Sequence, residues 1–240
     1  MSDSGQCPDA PNDLRRALIA TAAAGLAGLV TGCGSRGSAD GGESSEEAEV
    51  SPPEDLMREH GVLSRILLVY EEGIQRLQSA PKDLPPPAIR AAADIVRRFV
   101  EEYHERLEET HLFPRFEKAG RLTELVATLR AQHRSGRRMT DDIRRLASDT
   151  GLAESVNREA LADALRRFIR MYRPHAARED TVLFPALRRI VTAHEFGALG
   201  EEFERREHEI FGDEGFERIV DEVAGLERQL GIDDLNRVTA

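Results

Sequence analysis

One segment of the sequence occurs twice and combines residue types that bind metals. Residues 104–114 read HERLEETHLFP and residues 175–185 read HAAREDTVLFP, so a histidine is followed four residues later by a glutamate in both copies. Residues four apart on an α-helix lie on the same face, about one turn from each other. An imidazole and a carboxylate on one helix face, supplied twice, are the donors that a two-metal site between helices requires.

A further histidine precedes each copy at a similar distance. His60 lies 44 residues before His104, and His133 lies 42 residues before His175. Self-similarity at one period predicts two copies of a single supersecondary unit, here a helical hairpin. Two such hairpins make a four-helix bundle. The predicted fold class is therefore all-α, an up-down four-helix bundle built from two repeated helical hairpins, with extra C-terminal helices.

Six residues form the predicted metal site: His60, His104, Glu108, His133, His175 and Glu179. A lone histidine on an apolar helix stripe is more often a hydrogen-bonded core residue than a metal ligand. That explanation gives no reason for histidine and glutamate to recur together, and burial of an unpaired carboxylate is costly. Imidazole and carboxylate donors without sulfur suit zinc, iron or manganese. If each carboxylate bridges two ions, coordination positions are left open for a small molecule.

Helix-start signals and prolines set the predicted helix bounds. Ser51 and Thr192 each open a capping box, with a glutamate three residues later, and Gly120 is the predicted C-terminal stop of the second helix. Pro114 and Pro185 predict a kink or break directly after the metal-facing turns, because proline cannot donate to the helix ladder. The predicted helices cover about 52–80, 88–118, 122–147 and 158–191 in a bundle of residues 54–191, and about 192–212 and 214–230 in a C-terminal helical extension of residues 192–240.

Residues 1–33 are similar to a bacterial export signal. Arg15 and Arg16 precede a weakly hydrophobic run at 17–31, which ends in a lipobox-like segment before Cys33. Residues 34–53 are rich in Gly, Ser, Asp, Glu and Pro and are expected to form a disordered linker. These features predict an exported lipoprotein in the periplasm or on the outer face of a bacterial membrane. Contact with the membrane is expected only through the lipid anchor.

Composition narrows the possible partners. The net charge of −11 over 240 residues argues against nucleic acid, whose phosphate backbone would be repelled. Two cysteines, Cys7 and Cys33, cannot build a disulfide framework or a thiolate metal site. The sequence does not decide the oligomeric state.

Together these motifs resemble the hemerythrin-like (HHE) cation-binding domains over about residues 54–190. The resemblance includes the four histidines, both His-x-x-x-Glu pairs and both Leu-Phe-Pro segments. It implies an up-down four-helix bundle with two iron ions, a non-haem di-iron centre bridged by carboxylates and by an oxo or hydroxo group. It implies Glu108 and Glu179 as bridges and the four histidines as terminal ligands. It also implies O2 or another small diatomic ligand as the binding partner, or chemistry with O2, peroxide or nitric oxide.

The sequence departs from the oxygen-carrying hemerythrins at one position. Those proteins carry a second histidine four residues after the third-helix histidine, where this chain has Arg137. A substitute ligand is then expected from elsewhere or is absent. The weaker candidates for additional ligands are Glu105, His111, Asp180 and His208.

Three functions are compatible with these residues. The first is a binding module for O2 or nitric oxide, in sensing, storage or scavenging, because no general acid or nucleophile accompanies the ligand set. The second is an oxidoreductase acting on peroxide, O2 or nitric oxide, because a less nitrogen-rich iron site favours activation of a ligand over simple binding. The third is a structural helical bundle without metal. No catalytic residue is assigned from the sequence.

Overall fold

A computed structural model of the chain describes residues 50–148 and 154–238. Within these ranges the chain forms helices and no strand, which confirms the all-α prediction. The predicted export signal and residues 34–49 of the predicted linker lie outside the described residues.

Six long helices follow one another in the described part of the chain. Their bounds are Pro52–Ser79 (α1), 86–119 (α2), Thr123–Leu146 (α3), 155–187 (α4), Ala193–Phe211 (α5) and Gly215–Leu230 (α6), with short 3-10 turns at Pro81–Asp83 and Leu235–Val238. Helix α1 packs against α2 and α4, and α3 also packs against α2 and α4. This arrangement is the predicted four-helix bundle.

The apolar stripes of the four bundle helices meet in one core. Phe99 and Phe113 of α2 and Phe168 and Phe184 of α4 are buried almost completely. Burial of each such side chain stabilises the fold by roughly 1.5–3 kcal/mol. The packing therefore holds the stripe positions, including those of the histidines, at fixed places inside the bundle.

Helices α2 and α4 contain π-helical segments at the turns that carry the predicted metal ligands. In α2 these segments are Val96–His104 and Glu108–Leu112, and in α4 the segment is Glu179–Leu183. Each of the last two segments ends just before a proline, Pro114 or Pro185, in the first turn of the following α-helical segment. A first-turn position needs no N–H group, so both helices continue past the proline with a locally wider turn. The backbone thus departs from regular α-helix where a kink or break was predicted.

The helix ends agree in part with the sequence signals. Thr192 and Glu195 form the predicted capping box at the start of α5. At the start of α1, Ser51 makes no side-chain cap hydrogen bond, so that predicted capping box is wrong. Gly120 ends α2 in the left-handed region at φ 61°, as predicted for a C-terminal stop.

The C-terminal helices cover one side of the bundle. Helix α5 packs against α1, and α6 packs against both α1 and α2. Phe211 of α5 and Phe216 of α6 contact Phe99 of α2, and Phe211 also contacts Tyr103 edge-on. No helix in the described ranges has the length and apolar character needed to cross a membrane.

Candidate metal centre

The structure brings all six predicted ligands together in the bundle core. One histidine lies on each of the four helices, and the two glutamates lie on α2 and α4. All six residues are buried, with at most 4% of any of them exposed. Helical spacing places each glutamate one turn from a histidine of its own helix, as the repeated motif predicts.

The histidines face the glutamates in two groups. In the first, which we call the Glu108 half, the Nε2 atoms of His104 and His133 lie 3.7 Å and 3.4 Å from Glu108 Oε2. In the second, the Glu179 half, the Nε2 atoms of His60 and His175 lie 3.4 Å and 3.0 Å from Glu179 Oε2. Each half therefore offers two imidazole nitrogens and one carboxylate.

The two halves adjoin each other. One donor atom from each of Glu108, His133, His175 and Glu179 lies within 4.8 Å of the others. The rings of His60 and His104 are 4.6 Å apart, and those of His133 and His175 are 5.0 Å apart. The arrangement is one buried cluster in which donor atoms of the two carboxylates lie within 4.8 Å of each other.

Each histidine binds a polar partner through its other ring nitrogen. The Nδ1 pairs are His60 with Asp180 at 2.7 Å, His104 with Glu59 at 2.5 Å, His133 with Glu109 at 3.1 Å and His175 with Gln132 at 2.9 Å. A partner on Nδ1 fixes the ring orientation and leaves Nε2 for a metal, the usual arrangement around metal-binding histidines.

The site predicted from the sequence does not include Glu59, Glu109 or Gln132. A signal for them exists, because every Nδ1 partner is the chain neighbour of a predicted ligand. Glu59 and Gln132 directly precede the histidines of α1 and α3, and Glu109 and Asp180 directly follow the two glutamates. The internal repeat therefore extends to the residues that orient the ligands.

Six of the inward-facing atoms of the cluster lack hydrogen-bond partners. Among the described residues, His104 Nε2, His133 Nε2 and both oxygens of Glu108 and Glu179 are buried without one. A buried polar atom left unpaired costs about 1–3 kcal/mol, and more if it is charged. Six such atoms converging from the three helices α2, α3 and α4 fit a bound metal, since cations would satisfy all of them.

Burial and mutual contact shift the proton affinities of the histidines in different directions. Burial lowers the pKa of His104 to about 4. Burial also opposes protonation of His60 and His133, but contacts with Asp180 and Glu179 raise the pKa of His60 to about 10, and contacts with Glu108 and Glu109 raise the pKa of His133 to about 10. In the metal-free protein, protons on two imidazoles thus balance the buried carboxylates.

The pKa values of the two central glutamates also shift in opposite directions. Burial, followed by the charge of Glu179, raises the pKa of Glu108 to about 7. Burial also opposes ionisation of Glu179, but His175 and His60 hold the pKa of Glu179 below its usual range. Two carboxylates close together share their protons unequally, as expected for like charges in a buried site.

The four weaker candidates fall into two pairs. Asp180 and Glu105 lie beside the cluster, where Asp180 contacts His60 Nδ1 and Glu105 accepts a hydrogen bond from Tyr172. His111 points toward α5, where its ring contacts Phe203 edge-on. His208 is 65% exposed in its side chain and pairs with Asp213 at 2.9 Å. The structure therefore does not bring His111 or His208 to the cluster.

Arg137 occupies the third-helix position where the oxygen carriers have a histidine. Its Nη2 atom lies 2.8 Å from Glu105 Oε2 and 2.9 Å from Glu109 Oε1. The guanidinium is therefore engaged by two carboxylates, and it contributes no ligand atom, because arginine stays protonated in proteins.

Comparison with known proteins agrees with this geometry. The model of the hemerythrin HHE cation binding domain matches residues 51–187, and a second, overlapping match covers residues 126–235. Uncharacterized proteins of Mycobacterium bovis and of two strains of Mycobacterium tuberculosis are 51% identical to this chain over 196 residues, which is 81% of this chain and 76% of theirs. No solved structure matches the chain.

Proposed function

The chain belongs to the hemerythrin HHE cation-binding domain family, and from that membership we propose that it holds two iron ions and reversibly binds a small diatomic ligand, O2 or nitric oxide. The residues that would hold the ions are the four cluster histidines together with Glu108 and Glu179. When bound, the iron ions would supply open coordination positions and a change of oxidation state for such a ligand.

One observation carries this proposal. Four imidazole Nε2 atoms face two buried carboxylates, while every Nδ1 atom is occupied by another partner. A structural bundle without metal would gain nothing from directing so many polar atoms inward, because each unpaired one costs free energy. The nitrogen and oxygen donors also suit iron better than a soft metal, which prefers sulfur.

The surroundings of the cluster support binding of a small and weakly polar ligand. The rings of Phe184 and Phe113 stack on His60 and His133 at 5.5 Å and 5.4 Å. Both phenylalanines are buried, so apolar walls adjoin two of the histidines. Apolar walls favour O2 or nitric oxide over a charged solute, because a charged solute would lose its hydration there.

The test is a metal and ligand titration on the full chain. The protein is loaded with Fe(II) without air, iron per chain is counted, and the visible spectrum is followed as air or nitric oxide is admitted and removed. We expect two irons per chain and an absorption band that appears and disappears with the gas. Absence of bound iron would refute the metal centre. Two irons without a reversible band under either gas would refute reversible ligand binding.

An oxidoreductase is the second candidate, and one contact favours it. Tyr172 lies three residues before His175 with its ring against that histidine, and its hydroxyl donates to buried Glu105 at 2.7 Å. A phenol bonded to a carboxylate beside a metal centre can deliver a proton during turnover. We expect this function if peroxide or nitric oxide is consumed faster by the loaded protein than by free iron and if Tyr172→Phe slows the reaction. Consumption at the rate of free iron would exclude it.

We further propose that the protein is an exported lipoprotein, on the basis of residues 1–33. Expression of the full chain in a bacterial host that processes lipoproteins should give a membrane-associated product, and Cys33→Ala should release it. Recovery of both proteins in the cytoplasmic fraction would contradict this proposal. The result is independent of the metal centre.

A further inference from the structure

The two repeats can be compared position by position. Residues of α1 correspond to residues of α3 that lie 73 positions later, as His60 does to His133. Residues of α2 correspond to residues of α4 that lie 71 positions later, as His104 does to His175. The cluster and its Nδ1 partners obey this correspondence, so a residue that breaks it beside the cluster is specific to one half.

Three polar residues beside the cluster differ in type from the residues at the corresponding positions of the other repeat. Glu105 corresponds to Ala176, Arg137 corresponds to Ser64, and Tyr172 corresponds to Glu101. The three meet at one place, since Tyr172 donates to Glu105 Oε1 at 2.7 Å and Arg137 Nη2 lies 2.8 Å from Glu105 Oε2. Only 1% of Glu105 is exposed.

The absence of a side chain at Gly136 leaves the space that the Tyr172 hydroxyl needs to reach Glu105. A Cβ atom built on Gly136 would lie 1.9 Å from the Tyr172 hydroxyl and 2.7 Å from Cζ of the same ring. Its counterpart in α1 is Leu63, so the second repeat alone has room for a tyrosine hydroxyl to pass the third helix. The contact with Glu105 thus depends on a glycine in a helix interior, where glycine is otherwise unfavourable.

Glu105 acts on one half of the centre. A carboxylate oxygen of Glu105, one of Glu109 and a ring nitrogen of His133 all lie within 4.8 Å of one another. The charge of Glu105 also acts electrostatically on His104 and His133, both histidines of the Glu108 half. Arg137 offsets this charge in part, but its side chain is 19% exposed, and a charge that reaches solvent is screened more than a buried one.

We propose that Glu105, held in place by Tyr172 and Arg137, makes the Glu108 half the tighter of two unequal cation positions. Glu105 is then a positioning residue, which acts through the field that it exerts on His104, His133 and a cation beside them. The counterpart Ala176 gives the Glu179 half no such charge. This inference rests on the proposed function only in requiring that the cluster binds cations.

The test uses Co(II) alone, added to the metal-free full chain without air. Binding is followed by calorimetry and by the visible absorption of the bound ion. We expect two resolved steps for the unaltered protein. Glu105→Gln, which keeps the shape of the side chain, should weaken the tighter step by about 10-fold or more and leave the weaker step unchanged. Tyr172→Phe should weaken the same step by less, because the carboxylate stays but is less well held.

Matched variants assign the steps and separate a local effect from a folding defect. His133→Ala should abolish the tighter step and His60→Ala the weaker one. Glu102→Gln, an exposed carboxylate on the same helix, should change neither. If Glu105→Gln fails to fold by circular dichroism, Glu105→Asp replaces it, and a selective loss smaller than that expected for the amide is then predicted.

The outcomes distinguish this inference from the proposed function. If the unaltered protein binds neither Co(II) nor Fe(II), the metal centre itself is refuted. If it binds two ions and Glu105→Gln weakens both steps equally, or neither, the metal centre stands and the inference is overturned. A changed thermal midpoint with an unchanged ratio of the two affinities would show that Glu105 has only a structural role.

Discussion

The Glu108 half and the Glu179 half present the same donors to the core but lie in different surroundings. Each has two histidines and one glutamate, oriented by partners at corresponding positions of the repeat. The Glu108 half additionally adjoins Glu105 and Arg137, and the hydroxyl of Tyr172 reaches Glu105 while its ring lies against His175 of the Glu179 half. The counterparts of Glu105, Arg137 and Tyr172 are Ala176, Ser64 and Glu101. Inward geometry is therefore set by the repeated motif, whereas the charge around each half is set by single residues that the repeat does not share.

The number of acidic residues does not by itself give the charge around each half. Glu59 and Gln132 occupy corresponding positions and differ by one carboxylate. Burial raises the pKa of Glu59 to about 8, so at pH 7 that carboxyl is largely neutral and similar to the amide of Gln132. In contrast, burial is outweighed at Glu109, where His133 and Arg137 lower the pKa to about 2. The charge that each carboxyl group adds beside the cluster therefore depends on its burial and on its polar partners.

Removal of the proposed metal ions should have the largest effect on both halves. A ligand present at about 1,000 times its dissociation constant stabilises a fold by roughly 4 kcal/mol. We expect chelation of the iron-loaded chain to lower the free energy of unfolding by about that amount, measured by urea denaturation without air. His133→Ala should lose more of this stabilisation than His60→Ala if the Glu108 half binds more tightly. An unfolding midpoint that is indifferent to the chelator would contradict the metal centre.

Arg137→Gln should have the next largest effect. It removes the only ion-pair partner described for Glu105 among residues 50–148 and 154–238, and loss of one partner of a buried pair costs about 3–5 kcal/mol. Partial exposure of Arg137 places the expected loss near the lower end, about 3 kcal/mol in urea denaturation of the metal-free chain. Arg138→Gln, at the exposed neighbouring position, should cost less than about 0.5 kcal/mol. Equal effects of the two variants would exclude a special role for Arg137.

Gly136→Ala should destabilise the protein although alanine favours helix. The new methyl group would meet the Tyr172 hydroxyl, and overpacking of this kind costs about 1–3 kcal/mol. Gly61→Ala is the matched control in α1, because a Cβ there meets nothing within 4 Å and should stabilise by about 0.5–1 kcal/mol. Combining Gly136→Ala with Tyr172→Phe should recover part of the loss, as measured in a double-mutant cycle. Additive effects would mean that the two residues do not meet.

Asp55→Asn should have the smallest effect and should depend on pH. Burial, then the charges of Glu59 and Glu207, raises the pKa of Asp55 to about 7. The Asp55 carboxyl ionises near pH 4 in the unfolded chain and near pH 7 in the folded protein. The loss of folding free energy caused by the buried charge therefore grows across that interval and is complete above it. The variant should therefore be more stable than the parent by about 2 kcal/mol above pH 7, a value reduced by the favourable position of Asp55 in the first turn of α1. Urea denaturation at pH 5 and pH 8 measures the difference in unfolding free energy between the variant and the parent. A larger stabilisation at pH 5 than at pH 8 would contradict a raised pKa for Asp55.

Much of the fold follows from the sequence because its signals are local. The apolar stripes predict the helices to within a few residues. Thr192 begins a helix and Gly120 ends one where expected. The exceptions are also local. Ser51 makes no side-chain cap bond, and Pro174 lies inside the α-helical segment Ser155–Arg178 without ending it. At Pro174, the burial of the nearby Tyr172 and His175 outweighs the intrinsic preference of one residue.

The sequence by itself determined which residues face the centre of the bundle. A histidine and a glutamate four apart share a helix face whatever the helix packs against, and the repeat supplies that pair twice. Only the tertiary structure decided what lies behind each ligand. His104 and Glu59 are 45 residues apart and Tyr172 and Glu105 are 67 apart, and these contacts depend on how far each helix is rotated about its axis. Periodicity along one helix does not fix its rotation relative to its neighbours, since the packing of the whole core sets it. For the same reason, the sequence could not tell that His111 turns toward α5 and that Arg137 turns toward Glu105.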